Sequence, residues 1–129
     1  MICASVIIIT ITQCIIPMPP LGHMMVIHSR YDPALCADGY TINCDSDPTM
    51  FADGTAVLPE SYNVTAACLP EWLGATITTA YGSWLCRDRG GMIRPYWSGY
   101  WNEWVIPVDV LSADPIPFNY ELSEWSLNW

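Results

Sequence analysis

The residues best suited to chemistry in this chain are carboxylic acids set in unlike surroundings. Asp109 lies in VIPVDVL, where alternation groups it with Pro107 and Leu111 on one strand face. Desolvation raises the pKa of a carboxyl among apolar neighbours, which suits a general acid near neutral pH. The same pattern also fits a structural acid that accepts backbone N–H bonds. Asp88 sits in CRDRGGMI, between Arg87 and Arg89 and ahead of two glycines that let the backbone turn tightly and approach a neighbour closely. A turn carrying a surface ion pair, worth at most about 1 kcal/mol, is the plainer reading of that stretch. Asp53 in FADGT is a turn former by type, because Asp-Gly is a common turn dipeptide, and a further carboxylate by chemistry.

Other residue types narrow the chemistry. Tyr96, Trp97, Tyr100, Trp101 and Trp104 crowd one ten-residue stretch, PYWSGYWNEW, either as stacking surfaces for sugar rings or as a local hydrophobic cluster. The cysteines Cys36, Cys44, Cys68 and Cys86 lack the paired spacing of a zinc site, and with only His23 and His28 to help, no metal and no organic cofactor is expected. Disulfides fit better; Cys36–Cys44 and Cys68–Cys86 is the favoured pairing for an exported chain, although four cysteines permit three connectivities. His23 and His28 receive no role. Asn63-Val64-Thr65 is a glycosylation sequon, relevant only on a eukaryotic secretory route.

Thirteen acidic residues against four arginines and no lysine give a net charge of −9, which repels a phosphate backbone and excludes nucleic acid as the expected partner. A polysaccharide is compatible, because aromatic faces and hydrogen bonds grip it without cations.

These residues need a scaffold. With 129 residues and 52% hydrophobic content the chain has enough for one compact domain, expected to be a monomer. Eleven prolines and eight glycines interrupt every helical period, so the class is all-β. Strands are expected at 24–31, in TAVL, in NVTAAC, as a hairpin over ATITTAYGSWLCRD, in VIPVDVL and at an edge in FNYELSEWSLNW; EWLG offers one brief helical turn. About six or seven short strands with this spacing favour a small barrel or sandwich. Residues 1–23 form an apolar leader, too short and interrupted for a membrane span, that reads either as a signal segment without its positive charges or as an extra leading strand. Any membrane association would run through it.

RDRGGMI resembles the Asp-x-Gly-Gly-Ala-Ile signature of the three-aspartate (3D) domain family, found in bacterial cell-wall hydrolases and in membrane-bound lytic transglycosylase A. RYDP, FADGTAV, TAACLPEWLGATI and IPVDVL are similar to further family segments in the family's order, so the resemblance spans about residues 24–112. It implies a small six-stranded double-psi β-barrel with long loops over 24–129, and acids that converge at one end of a groove. Two departures stand out. Cys68 replaces an aspartate of the family stretch, and twenty residues separate Asp88 from Asp109 where the family has about half as many, a loop difference that surfaces tolerate. The surplus carries the aromatic segment and makes Glu103 a competitor for the late acid.

The activity that the resemblance implies is lytic cleavage of peptidoglycan between N-acetylmuramic acid and N-acetylglucosamine. Asp109 would act as general acid and base, Asp88 would be oriented and kept ionised by the arginines, and Asp53 or Glu103 would be available as a second carboxylate. Arg89, Tyr96, Trp97, Trp101 and Glu103 are the expected substrate contacts. Such a protein would be secreted or associated with the cell wall of a bacterium or carried by a phage. The alternative is a non-catalytic polysaccharide-binding or structural module on the same barrel, as in a phage tail or wall anchor, since fold alone does not establish catalysis.

Overall fold

The computed structural model describes residues 2–6, 11–37, 48–90 and 93–129. The protein is all-β. A two-stranded antiparallel hairpin of β1 (Ile2–Val6) and β2 (Ile11–Ile15) precedes one eight-stranded sheet. That sheet contains β3 (Met25–Tyr31), β4 (Thr65–Ala67), β5 (Thr76–Thr79), β6 (Gly82–Asp88), β7 (Tyr96–Ser98), β8 (Glu103–Leu111), β9 (Leu122–Ser123) and β10 (Trp125–Asn128). No helix among the described residues is long and apolar enough to cross a membrane.

The strand order is β10-β5-β6-β4-β8-β3-β9, with β7 also on β8. Two pairs are parallel, β3 with β8 and β4 with β6; the remaining pairs are antiparallel. The all-β class holds, and the pairing gives one eight-stranded sheet where six strands were expected. The aromatic segment supplies a strand of its own, β7, and the last stretch splits at Glu124 into two strands that lie on opposite edges. The sheet is open, yet seven consecutive residues hold both of its margins.

The central parallel pair explains the apolar run VIPVDVL. Seven residues of β3 match seven of β8, from Met25 opposite Val105 to Tyr31 opposite Leu111, and a strand covered on both faces reads as continuous rather than alternating hydrophobicity. Pro107 is tolerated because it lies opposite the gap between β7, which pairs up to Val105, and β4, which begins at Asp109; no ladder bond on that edge is lost. One face packs Val26, Ala66, Ile77, Trp84, Cys86, Ile106, Val108 and Val110 into the core. The β5–β6 hairpin turns at Ala80-Tyr81, and Gly82 is required there: its φ is 154°, and a Cβ would stand 2.9 Å from the Trp84 ring.

Elsewhere the expected elements shift slightly. EWLG becomes a single 3-10 turn over Pro70–Trp72. TAVL does not form a strand; Ala56 makes only one bridge, to Met50, inside a loop that Pro59 then ends. The Cys68–Cys86 disulfide joins the end of β4 to β6 with Cα atoms 5.6 Å apart. Cys44 and the Cys36 side chain lie outside the described residues, as do Gly91 and Met92.

Candidate active site

Register builds the site. Asp88 of β6 is paired with Ala67 of β4, Ala67 with Asp109 of β8, and Asp109 with Ser29 of β3, so the four residues form one row across four neighbouring strands. Regular alternation would place Asp88 on the core face with Cys86. Instead the register slips between Ala66, opposite Cys86, and Ala67, opposite Asp88, which leaves Arg87 as the extra residue of a bulge. A bulge re-aims the side chain that follows it, and here it turns Asp88 to the face of Asp109. Ala67, the residue between the two acids, carries a small side chain and is itself buried.

Asp88 is firmly held. Its Oδ2 accepts from the Tyr31 hydroxyl at 3.0 Å, its Oδ1 from the Ala52 N–H at 3.0 Å, and its carbonyl from the Cys68 N–H at 3.0 Å. Tyr31 belongs to β3, three strand positions from β6; in a flat sheet that is about 14 Å, beyond the reach of a tyrosine side chain. The hydrogen bond thus requires that the sheet be curled rather than flat, as does the bond between His28 on β3 and Thr79 on β5 across the core face.

Asp109 is less occupied. Ser29 Oγ donates to its Oδ1 at 3.0 Å, and Oδ2 has no hydrogen bond among the described residues. Burial pushes its carboxyl up from 3.8 to about 6, the Ser29 bond opposes the rise, and the nearby Asp88 carboxylate adds to it. Burial and the two acids together also raise the Tyr31 phenol, which stays neutral and a donor.

The other expected residues fall into three groups. Asp53 lies beside the row but is engaged. Burial alone would raise it, yet bonds from Thr55 and Arg87 hold its carboxyl below the usual range, with the Thr55 N–H at 2.8 Å and Arg87 Nε at 3.1 Å. This corrects the expected role of the arginines. Arg87 serves Asp53 and stacks over Phe51, its guanidinium carbon 5.4 Å from the ring centre, while Arg89 is exposed and makes no ion pair among the described residues. Asp88 is oriented by Tyr31 and a backbone N–H instead.

The aromatic group sits at the other end of β8. Glu103 begins that strand, six residues or about 20 Å along it from Asp109, so it cannot share a bond with Asp109 as the second acid. Tyr96 pairs with Val105, about 13 Å along the strand from Asp109 and on the same face. Trp97 pairs with Trp104 on the core side, their rings 6.3 Å apart. Trp101 Nε1 donates to the Tyr120 carbonyl at 2.9 Å.

Ser29 and Tyr31 were not singled out from the sequence. They share a face by alternation within MVIHSRY, a signal that becomes readable only once β3 is known to lie beside Asp109. No cluster of three or more His, Cys, Asp or Glu that could hold a metal occurs among the described residues.

No protein-family model, no curated protein and no solved structure matches the chain.

Proposed function

We propose that this protein is a peptidoglycan-active lytic transglycosylase in which Asp109 is the general acid and base. The observation that carries the reading is the pairing of unequal acids in one row: Asp88 with both oxygens hydrogen-bonded, and Asp109 with one oxygen open and its carboxyl pushed up to about 6. A carboxyl poised near neutral pH can give a proton and take one back.

In the proposed reaction protonated Asp109 donates to the glycosidic oxygen as the bond from N-acetylmuramic acid to N-acetylglucosamine breaks. The resulting carboxylate removes the proton of the muramic 6-hydroxyl, whose oxygen attacks C1 and closes a 1,6-anhydro ring. The acid ends the cycle protonated, and no water is consumed. One working carboxyl suffices for this route, whereas hydrolysis needs two; Asp53, tied to Thr55 and Arg87, is poorly placed to be the second. Asp88 works by charge, disfavouring loss of the Asp109 proton. The reading includes a double-psi barrel as the scaffold, supported by the two central parallel pairs and the terminal stretch on both margins. It also places the protein outside the cytoplasm, consistent with the Cys68–Cys86 disulfide.

Incubation with purified sacculi and mass spectrometry of the soluble products tests it. Anhydro ends that vanish in Asp109→Asn are expected. Reducing ends would replace the reading with hydrolysis, and sedimentation with the wall without products would replace it with a binding module.

A further inference from the structure

Three tyrosines face solvent around the β7–β8 turn: Tyr100 is 86% exposed, Tyr120 64% and Tyr96 41%. Contacts anchor two of them. The Tyr100 ring meets the Trp101 ring edge-on at 5.1 Å, and the Trp101 indole N–H is fixed on the Tyr120 carbonyl at 2.9 Å. The Tyr120 N–H in turn donates to the His28 carbonyl at 2.7 Å, tying this surface to the central strand β3. Burial, and after it the electrostatic influence of Tyr120, raises the Tyr96 phenol. Tyr120 also keeps a left-handed backbone, φ 64°, a conformation that costs free energy in any residue with a side chain and clusters at ligand clamps. Exposed aromatic surface gathered in this way marks an interaction site more often than bare solvent contact.

We infer that Tyr96, Tyr100, Trp101 and Tyr120 form a sugar-stacking platform, remote from the acid row, that binds a glycan polymer. Flat aromatic faces match the C–H faces of pyranose rings, and phenol hydroxyls match their hydroxyl groups. None of the four basic residues belongs to the platform, so its grip rests on ring faces and hydroxyl groups rather than on cationic contacts. Tyr96 is on the Asp109 face but about 13 Å along β8 from it, so a ligand that touches both must extend over several sugars. The consequence for the proposed reaction, on which this last step alone rests, is a preference for long strands over short ones.

The test uses the full chain carrying Asp109→Asn, which keeps the platform and stops cleavage. Titration of its tryptophan fluorescence with peptidoglycan strands and chitin oligosaccharides of increasing length is expected to show affinity that rises with length and changes little with salt. Adding Tyr100→Ser and Tyr120→Asn should weaken the long ligands about tenfold and leave a disaccharide unaffected. Asparagine is chosen because it accepts the left-handed backbone, so the fold survives, as a thermal melt will confirm. Equal affinity with and without the rings, failure of the parent to bind any of these glycans, or a loss of self-association in place of a loss of glycan binding would overturn the platform. Because binding is read without cleavage, a wild-type chain that binds long glycans yet releases no anhydro products sinks the transglycosylase reading and leaves the platform standing.

Discussion

His28 and Asp109 lie within one register step of each other, since His28 is opposite Val108 and Ser29 opposite Asp109, yet they face opposite sides of the sheet and have opposite fates. His28 is fully buried. Its Nδ1 donates to the Glu121 carbonyl at 2.8 Å, which leaves Nε2 to accept from Thr79 Oγ1 at 2.9 Å, and the rings of Tyr81, Trp84 and Phe118 surround it edge-on. Burial lowers its pKa more than the Glu121 contacts raise it, so it stays neutral. Every polar atom of that ring is satisfied, and the site is closed. Asp109 is the unfinished counterpart, with one partner, one open oxygen and a neighbouring charge. Burial alone therefore does not single out a candidate group; incomplete hydrogen bonding of a buried acid does.

The sharpest way to break this contrast is to exchange the roles by mutation. Asp109→Asn is expected to lower release of anhydro products by at least about 10² to 10⁴-fold, with the melting curve retained; retained activity would end the assignment. His28→Ala should do the reverse, costing about 4 kcal/mol in urea unfolding through a cavity and the orphaned Thr79 hydroxyl, with activity per folded molecule unchanged. Reducing Cys68–Cys86, eighteen residues apart, should cost about 3 kcal/mol. It should also loosen Asp88, whose carbonyl the Cys68 N–H binds.

Acidity gives a finer test because the two groups pull in opposite directions. The raised Asp109 carboxyl favours the folded state below pH 3.8, and that advantage is lost as pH climbs through about 6, a change of about 3 kcal/mol at most before solvent screening reduces it. The lowered His28 ring acts the other way, with stability present above 6.5 and lost as pH falls below it. Asp109→Asn should unmask the His28 slope, so that stability measured from pH 4 to 7 rises more steeply with pH than in the wild type. The smallest effect is expected from Tyr31→Phe, which removes one donor from Asp88 and should cost about 1 kcal/mol and a few-fold in rate; no change in either would make that bond ornamental.

Much of the sheet was legible because local signals and tertiary demands agreed. The β-branched run and Gly82 gave the β5–β6 hairpin, and the double-sided burial of β8 gave its apolar run. Asp109 was legible as an acid among hydrophobes. Its relation to Asp88 was expected only through the family resemblance, because it depends on a one-residue slip beside Arg87 that no residue pattern announces, and without that slip Asp88 would face the core. Arg87 misled for the same reason. Adjacent charges suggest a pair, but the bulge separates Arg87 from Asp88 and sends it to Asp53, thirty-four positions earlier. The strand count missed because a single stretch, Leu122 to Asn128, serves two margins.

That stretch sets a schedule for folding. β3, the first strand of the main sheet, waits for β8 and then β9, while the β5–β6 hairpin waits for β10. Until the ribosome delivers residues 122–128, two rows of backbone donors and acceptors stand bare, and contacts this distant along the chain form slowly. A nascent chain of this kind remains pliable until its synthesis reaches them, and a chaperone has that interval in which to engage it.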